Sequence, residues 1–359
     1  MRNRIIGVVL GLAIAACILI WQTNGRRSAG WDLLPENEGA ISAVEIQYSR
    51  DAAKFILPCY RAFLTQLDPA TEIIAVCGDE SEARDFRNAV SSWGIADSER
   101  IHTVAVGRQI TGWAKDRFLI GHSRRSSFLI CPLASDTGLA TRTHDALVAP
   151  ALARAYSGRF HSVHAPIHFD AGDILATHTR VIVSDVLWRK NDNSPELGQQ
   201  LEEMFGRRVI RLCGVPDHHI GMYAAPLDEH TVIVGDPKLA QAFWTNQMES
   251  SLGHADFSDR TTAPFELAAQ QLRRAGFRVV RAPLIVLGPQ IYVTYTNGVF
   301  ETHGSRKIAF MPWYDEPALD RAGRKAYESV GWEVRPIPVR TVFRFRGTIG
   351  CLVNVLERK

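Results

Sequence analysis

LEEMFGRRVIRLCGV, residues 201–215, runs the end of an amphipathic helix, a glycine and a short strand together without a pause. Leu201, Met204 and Phe205 recur at i, i+3 and i+4, which gives a helix one buried face. Gly206 comes after the last turn, where glycine closes a helix at least cost. Val209 to Leu212 then reads as a strand with a basic start. The same design returns as AFLTQLDPATEIIAVC from Ala62, AVSSWGIADSERIHTVAV from Ala89, QLRRAGFRVVRAPLIV from Gln271 and AYESVGWEVRPIPVR from Ala326. Five copies, four of them with the glycine, predict a repeat architecture, and their irregular spacing makes it a pseudo-repeat. An ordinary α/β sheet whose helix ends look alike accounts for the periodicity equally well.

Outside these stretches the chain keeps alternating β-branched runs with amphipathic ones, which is the α/β pattern. Candidate strands are Glu72 to Cys77, Ile101 to Val106, Phe118 to Gly121, Ile174 to Thr177, Val181 to Val186, Val209 to Leu212, Thr231 to Val234, Val279 to Arg281, Gln290 to Tyr295, Lys307 to Met311 and Glu333 to Pro336. With 359 residues, 46% of them hydrophobic, the chain can bury a large core. Its formal charge of +3 is spread among interspersed acids and bases, so nothing marks a nucleic-acid partner. A small ligand or substrate is the expected partner.

The start of the chain stands apart. Met1-Arg-Asn-Arg4 is positive, Ile5 to Trp21 is apolar and uncharged, and Gln22, Asn24, Arg26 and Arg27 follow. Residues 1–21 therefore read as a signal anchor or signal peptide, with an uncleaved membrane anchor the expected form. Ile14-Ala-Ala-Cys17 resembles a lipoprotein cleavage box, against which the apolar Ile18 to Trp21 argues. Residues 22–42 read as a linker, and 43–359 as the catalytic domain, placed outside the cytoplasm. Six cysteines in that setting invite disulfides, but no pair has CxxC spacing, and neither a zinc nor a redox motif is signalled. Cys59, Cys77, Cys131 and Cys213 are expected as small buried hydrophobes, and Cys351 follows a glycine in a strand-like run.

Four stretches place polar residues where a plain core would not want them: Trp113-Ala-Lys-Asp116-Arg117, Phe169-Asp170-Ala-Gly172-Asp173, Asp217-His218-His219-Ile-Gly221-Met-Tyr223 and Gly350-Cys351-Leu-Val-Asn354. In this order, with the cysteine near the C-terminus, the chain from Trp113 to Asn354 resembles the guanidino-group-modifying enzymes: arginine and agmatine deiminases, dimethylarginine dimethylaminohydrolases and amidinotransferases. The flanking runs Ala225-Pro-Leu, Thr231-Val-Ile-Val-Gly-Asp-Pro237 and Tyr295-Thr-Asn-Gly298 belong to the likeness. The resemblance implies a pentein, an α/β propeller of five pseudo-symmetric ββαβ units around a central site, and it offers a reason for the five copies.

A guanidinium is planar, cationic and a poor electrophile, so attack on its central carbon calls for carboxylates, a thiolate and a proton shuttle. By the resemblance, Cys351 forms a covalent thiouronium adduct, His219 protonates the departing amine and then activates water, Asp170 orients His219 or binds the guanidinium, and Asp116 grips its other edge. Asp173 and Asp217 join the substrate-binding candidates. Arg344 and Arg346 alternate with Phe343 and Phe345, so a strand there shows two guanidinium groups on one face, able to clamp a substrate carboxylate. No cofactor and no metal is expected.

Each residue keeps a plainer alternative. Cys351 reads also as a buried strand cysteine, the two histidines as loop residues or metal ligands, Asp170 and Asp173 as turn formers, and Asp116 as a surface partner of Lys115 or Arg117. The family's His-x-Asp pattern is broken, since Gly221 stands two residues after His219, and Ala171 stands for the first glycine of its acid-Gly-Gly-Asp stretch. Either Asp217 replaces the missing carboxylate from the other side of the His pair, or the substrate is a substituted or different one. Beside a hydrolase or amidinotransferase acting on a small guanidino compound, a pentein that has lost catalysis and binds a ligand or protein stays open, as does a metal-dependent hydrolase using the His pair.

Overall fold

The computed structural model describes residues 30–95, 98–122, 126–136, 138 and 140–359. The expected anchor, its flanking residues to 29 and Cys17 lie outside the described residues. Among the described residues no helix is long and apolar enough to cross a membrane.

The strands form five small sheets. Ser127–Cys131 pairs antiparallel with Leu119–His122, and a crossover through the helix Val148–Ala155 brings Phe160–His164 alongside it in parallel. The same path is followed by Ile174–Ala176, Arg180–Ser184 and Arg208–Leu212, with Leu197–Phe205 in the crossover. It is followed again by Ala224–Pro226, Thr231–Asp236 and Arg278–Gly288 through Asp259–Arg274, and by Val299–His303, Arg306–Trp313 and Glu333–Pro338 through Pro317–Glu328. The remaining unit joins the two ends of the chain. Val353–Arg358 pairs antiparallel with Ile41–Tyr48, which pairs in parallel with Glu72–Cys77 after the helix Ala53–Leu64. Counting this closing unit as the first, each ββαβ unit packs on the next and the fifth packs on the first, a closed ring.

The five helix-to-strand stretches are real junctions, but they do not map one to a unit. The copies at Ala62 and Ala89 both lie in the first unit, the second feeding its extra strand Ile101–Ala105, and the second unit's junction was passed over. That junction, after the helix Val148–Ala155, has its own left-handed Gly158 at φ 91°. The four glycines that close the recognised copies, Gly94, Gly206, Gly276 and Gly331, all have positive φ, between 62° and 92°.

The linker reading stops short of Gly30. Asp32–Leu33 adds an antiparallel edge strand to the second sheet, Asn37 is buried, and Ile41 already lies in a core strand. The buried Arg207 reaches Asp32 Oδ1 at 2.6 Å and the carbonyls of Leu33 and Thr177, so this stretch belongs to the folded body.

Candidate active site

Because each unit ends on the same edge of the ring, the five connections between units converge. The stretch before Leu119 supplies Lys115 and Asp116, and that before Ile174 supplies Gly172, with Asp170 beside it. The stretch before Ala224 supplies His219 and Gly221, that before Val299 supplies Asn297, and that before Val353 supplies Gly350 and Cys351. Together with Glu36, they line a cleft of about 30 Å³, roughly the volume of one water molecule.

Cys351 is buried, in the short helical turn Ile349–Leu352 rather than in a strand. Its Sγ lies 3.3 Å from Asn297 Oδ1. Ligand atoms of Asp116, His219 and Cys351 all fall within 4.8 Å of one another. His219 stands between two carboxylates, with Nδ1 3.7 Å from Asp116 Oδ1 and Nε2 3.7 Å from Asp170 Oδ2, distances of ion pairing rather than hydrogen bonding. Burial pulls the His219 pKa down, but Asp116, Asp170 and Cys351 outweigh it and hold the imidazole well above its ordinary range. The side chain packs directly against Gly172, where a Cβ would come 2.5 Å from Nδ1.

Lys190 holds the acidic side of this arrangement together. It reaches Asp170 Oδ2 at 2.8 Å and Asp173 Oδ2 at 2.5 Å. Burial works to raise the Asp170 pKa, but His219 and Lys190 prevail and keep it far below the usual carboxylate range. Asp173 is fully buried and accepts from the Asp170 backbone N–H at 3.0 Å, so it fixes its neighbour and does not line the cleft, contrary to its place among the substrate binders. Asp116 pairs with Arg142, whose guanidinium also lies over the Trp113 ring at 5.7 Å, and not with Lys115 or Arg117. Lys115 pairs with Glu36 at 3.0 Å.

Three further expectations fail on geometry. Asp217 faces solvent and pairs with the exposed Arg189, because the turn after Pro216 points it outward; it cannot replace the carboxylate missing at 221. Arg344 and Arg346 are not on a strand: Phe343–Phe345 is a 3-10 turn closed by Arg346 at φ 69°, with Phe343 in the core and Phe345 49% exposed. Arg344 donates to the Leu252 carbonyl and Arg346 to Gln290 Oε1, so neither reaches the cleft. Cys59, Cys77 and Cys131 are buried as expected, whereas Cys213 is exposed.

The His pair divides its labour. His218 is buried against Tyr292, its Nδ1 accepts the His219 backbone N–H at 2.8 Å, and burial with the neighbouring His219 pulls it down to about 3. It is therefore a neutral support. The ligand set that could surround His219 comes instead from Asp116 and Cys351, far away in sequence.

No family model matches the sequence, and no curated protein is similar to it. Solved structures are. An agmatine deiminase from C. jejuni, 15% identical, superposes with a TM-score of 0.67 over 92% of this chain and 97% of that one. An agmatine deiminase from Enterococcus faecalis, 11% identical, gives 0.67 over 92% and 96%. The fold is a pentein. In this pentein the residue that the sequence motifs left out is Asn297, which was quoted only within a flanking run. Its signal was positional: four of the five connections each carried a polar motif, and the connection after the fourth unit had to supply the fifth. Lys190 and Arg142 carried no signal in the sequence, since each meets its carboxylates across 17 to 26 residues of its own unit and not at a helix or hairpin spacing.

Proposed function

We propose that this pentein is a cysteine-dependent enzyme that hydrolyses, or transfers the amidino group of, a small guanidino compound. The observation that carries the reading is the convergence of Cys351, His219 and Asp116 within 4.8 Å, delivered by separate connections to one cleft.

Asp116 attracts the guanidino group and holds its plane beside the sulfur. Cys351 loses its proton to solvent as the cationic substrate arrives and adds as the thiolate to the central carbon, forming an S–C bond and a tetrahedral centre. His219, kept protonated by its two carboxylates, gives its proton to the departing nitrogen as the C–N bond breaks, leaving an S-linked thiouronium on Cys351. The neutral imidazole then takes a proton from water, whose oxygen bonds to the same carbon. Collapse of that second tetrahedral centre breaks the S–C bond and returns the sulfur. An amine acceptor in place of water makes the reaction an amidino transfer.

The support beyond the site is the shared fold with agmatine deiminases at 11–15% identity. A second reading, a pentein that binds without turnover, is favoured by the small cleft and by Gly221, where the resemblance implies an aspartate. The test is a panel of arginine, agmatine, methylated arginines and peptidyl-arginine, given to the wild type and to Cys351→Ala. Ureido product from the wild type alone supports the enzyme. No product from any member, with Cys351 inert to a haloacetamidine probe, supports the binding reading.

A further inference from the structure

Asn297 does more than close the ring of polar groups. Its Oδ1 accepts from the Thr348 backbone N–H at 3.3 Å, from Thr348 Oγ1 at 2.6 Å and from Cys351 Sγ at 3.3 Å. The Thr348 backbone N–H, which can only donate, decides which end of the amide is oxygen. Nδ2 is thereby turned to the opposite side, over the bare backbone of Gly221, where a Cβ would come within 2.9 Å of it. At the place where a carboxylate is implied, the cleft presents a hydrogen-bond donor.

Of the other carboxylates on the cleft wall, Glu36 is countered by Lys115 and Asp116 Oδ2 by Arg142, which leaves Asp116 Oδ1, without a hydrogen-bond partner among the described residues, to hold a guanidino group. An alkylguanidinium offers N–H donors on every edge and no acceptor, so against Nδ2 it sets donor against donor, which costs roughly tenfold or more in affinity. A guanidino group carrying oxygen is different. Its oxygen accepts from Nδ2, and the electronegative atom lowers the basicity of the group, so fewer carboxylates are needed to hold it.

We infer that Asn297, seated over Gly221, sets the substrate class: a guanidino group with a hydrogen-bond acceptor on the edge that faces Nδ2, as in an N-hydroxyguanidine or a guanidinooxy compound. This rests on the guanidino reading above and follows the same bond changes at carbon.

The experiment compares wild type with Asn297→Asp on four compounds: agmatine, arginine, N-hydroxyarginine and the guanidinooxy analogue of arginine. Aspartate keeps an acceptor for Thr348 and Cys351 and replaces only the donor. Two readouts are taken, kcat/KM and the concentration that protects Cys351 from iodoacetamide, the second needing no turnover. The wild type is expected to favour the oxygen-bearing pair by tenfold or more, and Asn297→Asp to reverse the order. Gly221→Ala, whose Cβ pushes Nδ2 aside, is expected to lose the preference several-fold, and serves if the aspartate variant does not fold. A wild type that prefers agmatine or arginine, or an order unchanged in the variants, overturns the role of Asn297 while leaving the guanidino reading standing. Neither turnover nor protection with any of the four removes the guanidino reading and the inference with it.

Discussion

Gly172→Ala isolates the placement of His219 from its chemistry. The backbone at 172 is not left-handed, so alanine brings no conformational cost of its own. Its Cβ would lie 2.5 Å from Nδ1, 2.6 Å from Cγ and 2.9 Å from Cβ of His219. Ordinary contact begins near 3.4 Å, so the ring must retreat by about 0.9 Å (3.4 − 2.5). It cannot retreat freely, with Asp116 and Asp170 each 3.7 Å away. A displacement near 1 Å at a proton-transfer group costs about a hundredfold in rate, and the crowding costs about 1–3 kcal/mol of stability. The assay is kcat on the best substrate of the panel, with chemical unfolding and far-UV circular dichroism on the same preparation. A folded variant with kcat within twofold of wild type would refute the claim that His219 acts from its seat on Gly172.

Deleting residues 1–42 removes the Asp32–Leu33 strand and leaves the buried Arg207 without two of its partners. A loss on the order of 3 kcal/mol or more against a deletion of 1–29 is expected from urea unfolding; equal stabilities would contradict it. Asp170→Asn takes away one of the charges that keep His219 protonated, so the basic limb of the turnover pH profile should move to lower pH; an unmoved limb would assign that proton elsewhere. The two histidines bend the stability profile in opposite directions. From about 6.5 down to about 3 the unfolded chain binds a proton that buried His218 refuses, so stability falls with falling pH by about 1.4 kcal/mol per unit. Above 6.5 the folded chain keeps a proton on His219 that the unfolded chain releases, so stability falls as pH rises towards the raised folded pKa. His218→Asn, which retains an acceptor for the His219 N–H, should flatten the acid limb and leave the basic limb, measured as unfolding free energy at pH 4, 5 and 6 for the first and at pH 7, 8 and 9 for the second.

What the sequence made legible follows from what each signal depends on. All eleven candidate strands are strands, because apolar β-branched runs between polar turns are a local signal. The strand Ile41–Tyr48 escaped notice because Glu45 and Gln47 interrupt its apolar pattern, and both are fully buried inside the ring. Phe160–His164 was hidden by three histidine and serine positions among its five residues. Cys351, His219 and Asp116 could be named because each sits in a connection with its own motif. Asp217 could not be judged from adjacency to His218, since one turn residue decides which way a side chain leaves the backbone. Phe343, Arg344, Phe345 and Arg346 alternate as a strand would, yet the core takes one phenylalanine and leaves the other outside, and the chain turns instead. Lys190 and Arg142 meet carboxylates of their own units, but across 17 to 26 residues of chain, which no local pattern encodes.

The central claim is that Cys351 carries the substrate's amidino carbon through the reaction. Intact-mass spectrometry of the His219→Ala protein, quenched in acid after mixing with the S-methylisothiourea analogue of the best substrate of the panel, tests it most directly, because its thiolate leaving group needs no proton from His219 and loss of the base that activates water should let the thiouronium accumulate. The account predicts a mass increase on Cys351 matching that adduct and absent from the Cys351→Ala, His219→Ala double variant. A wild type that turns substrate over while neither protein ever carries the adduct, or a Cys351→Ala protein that retains turnover, would contradict it.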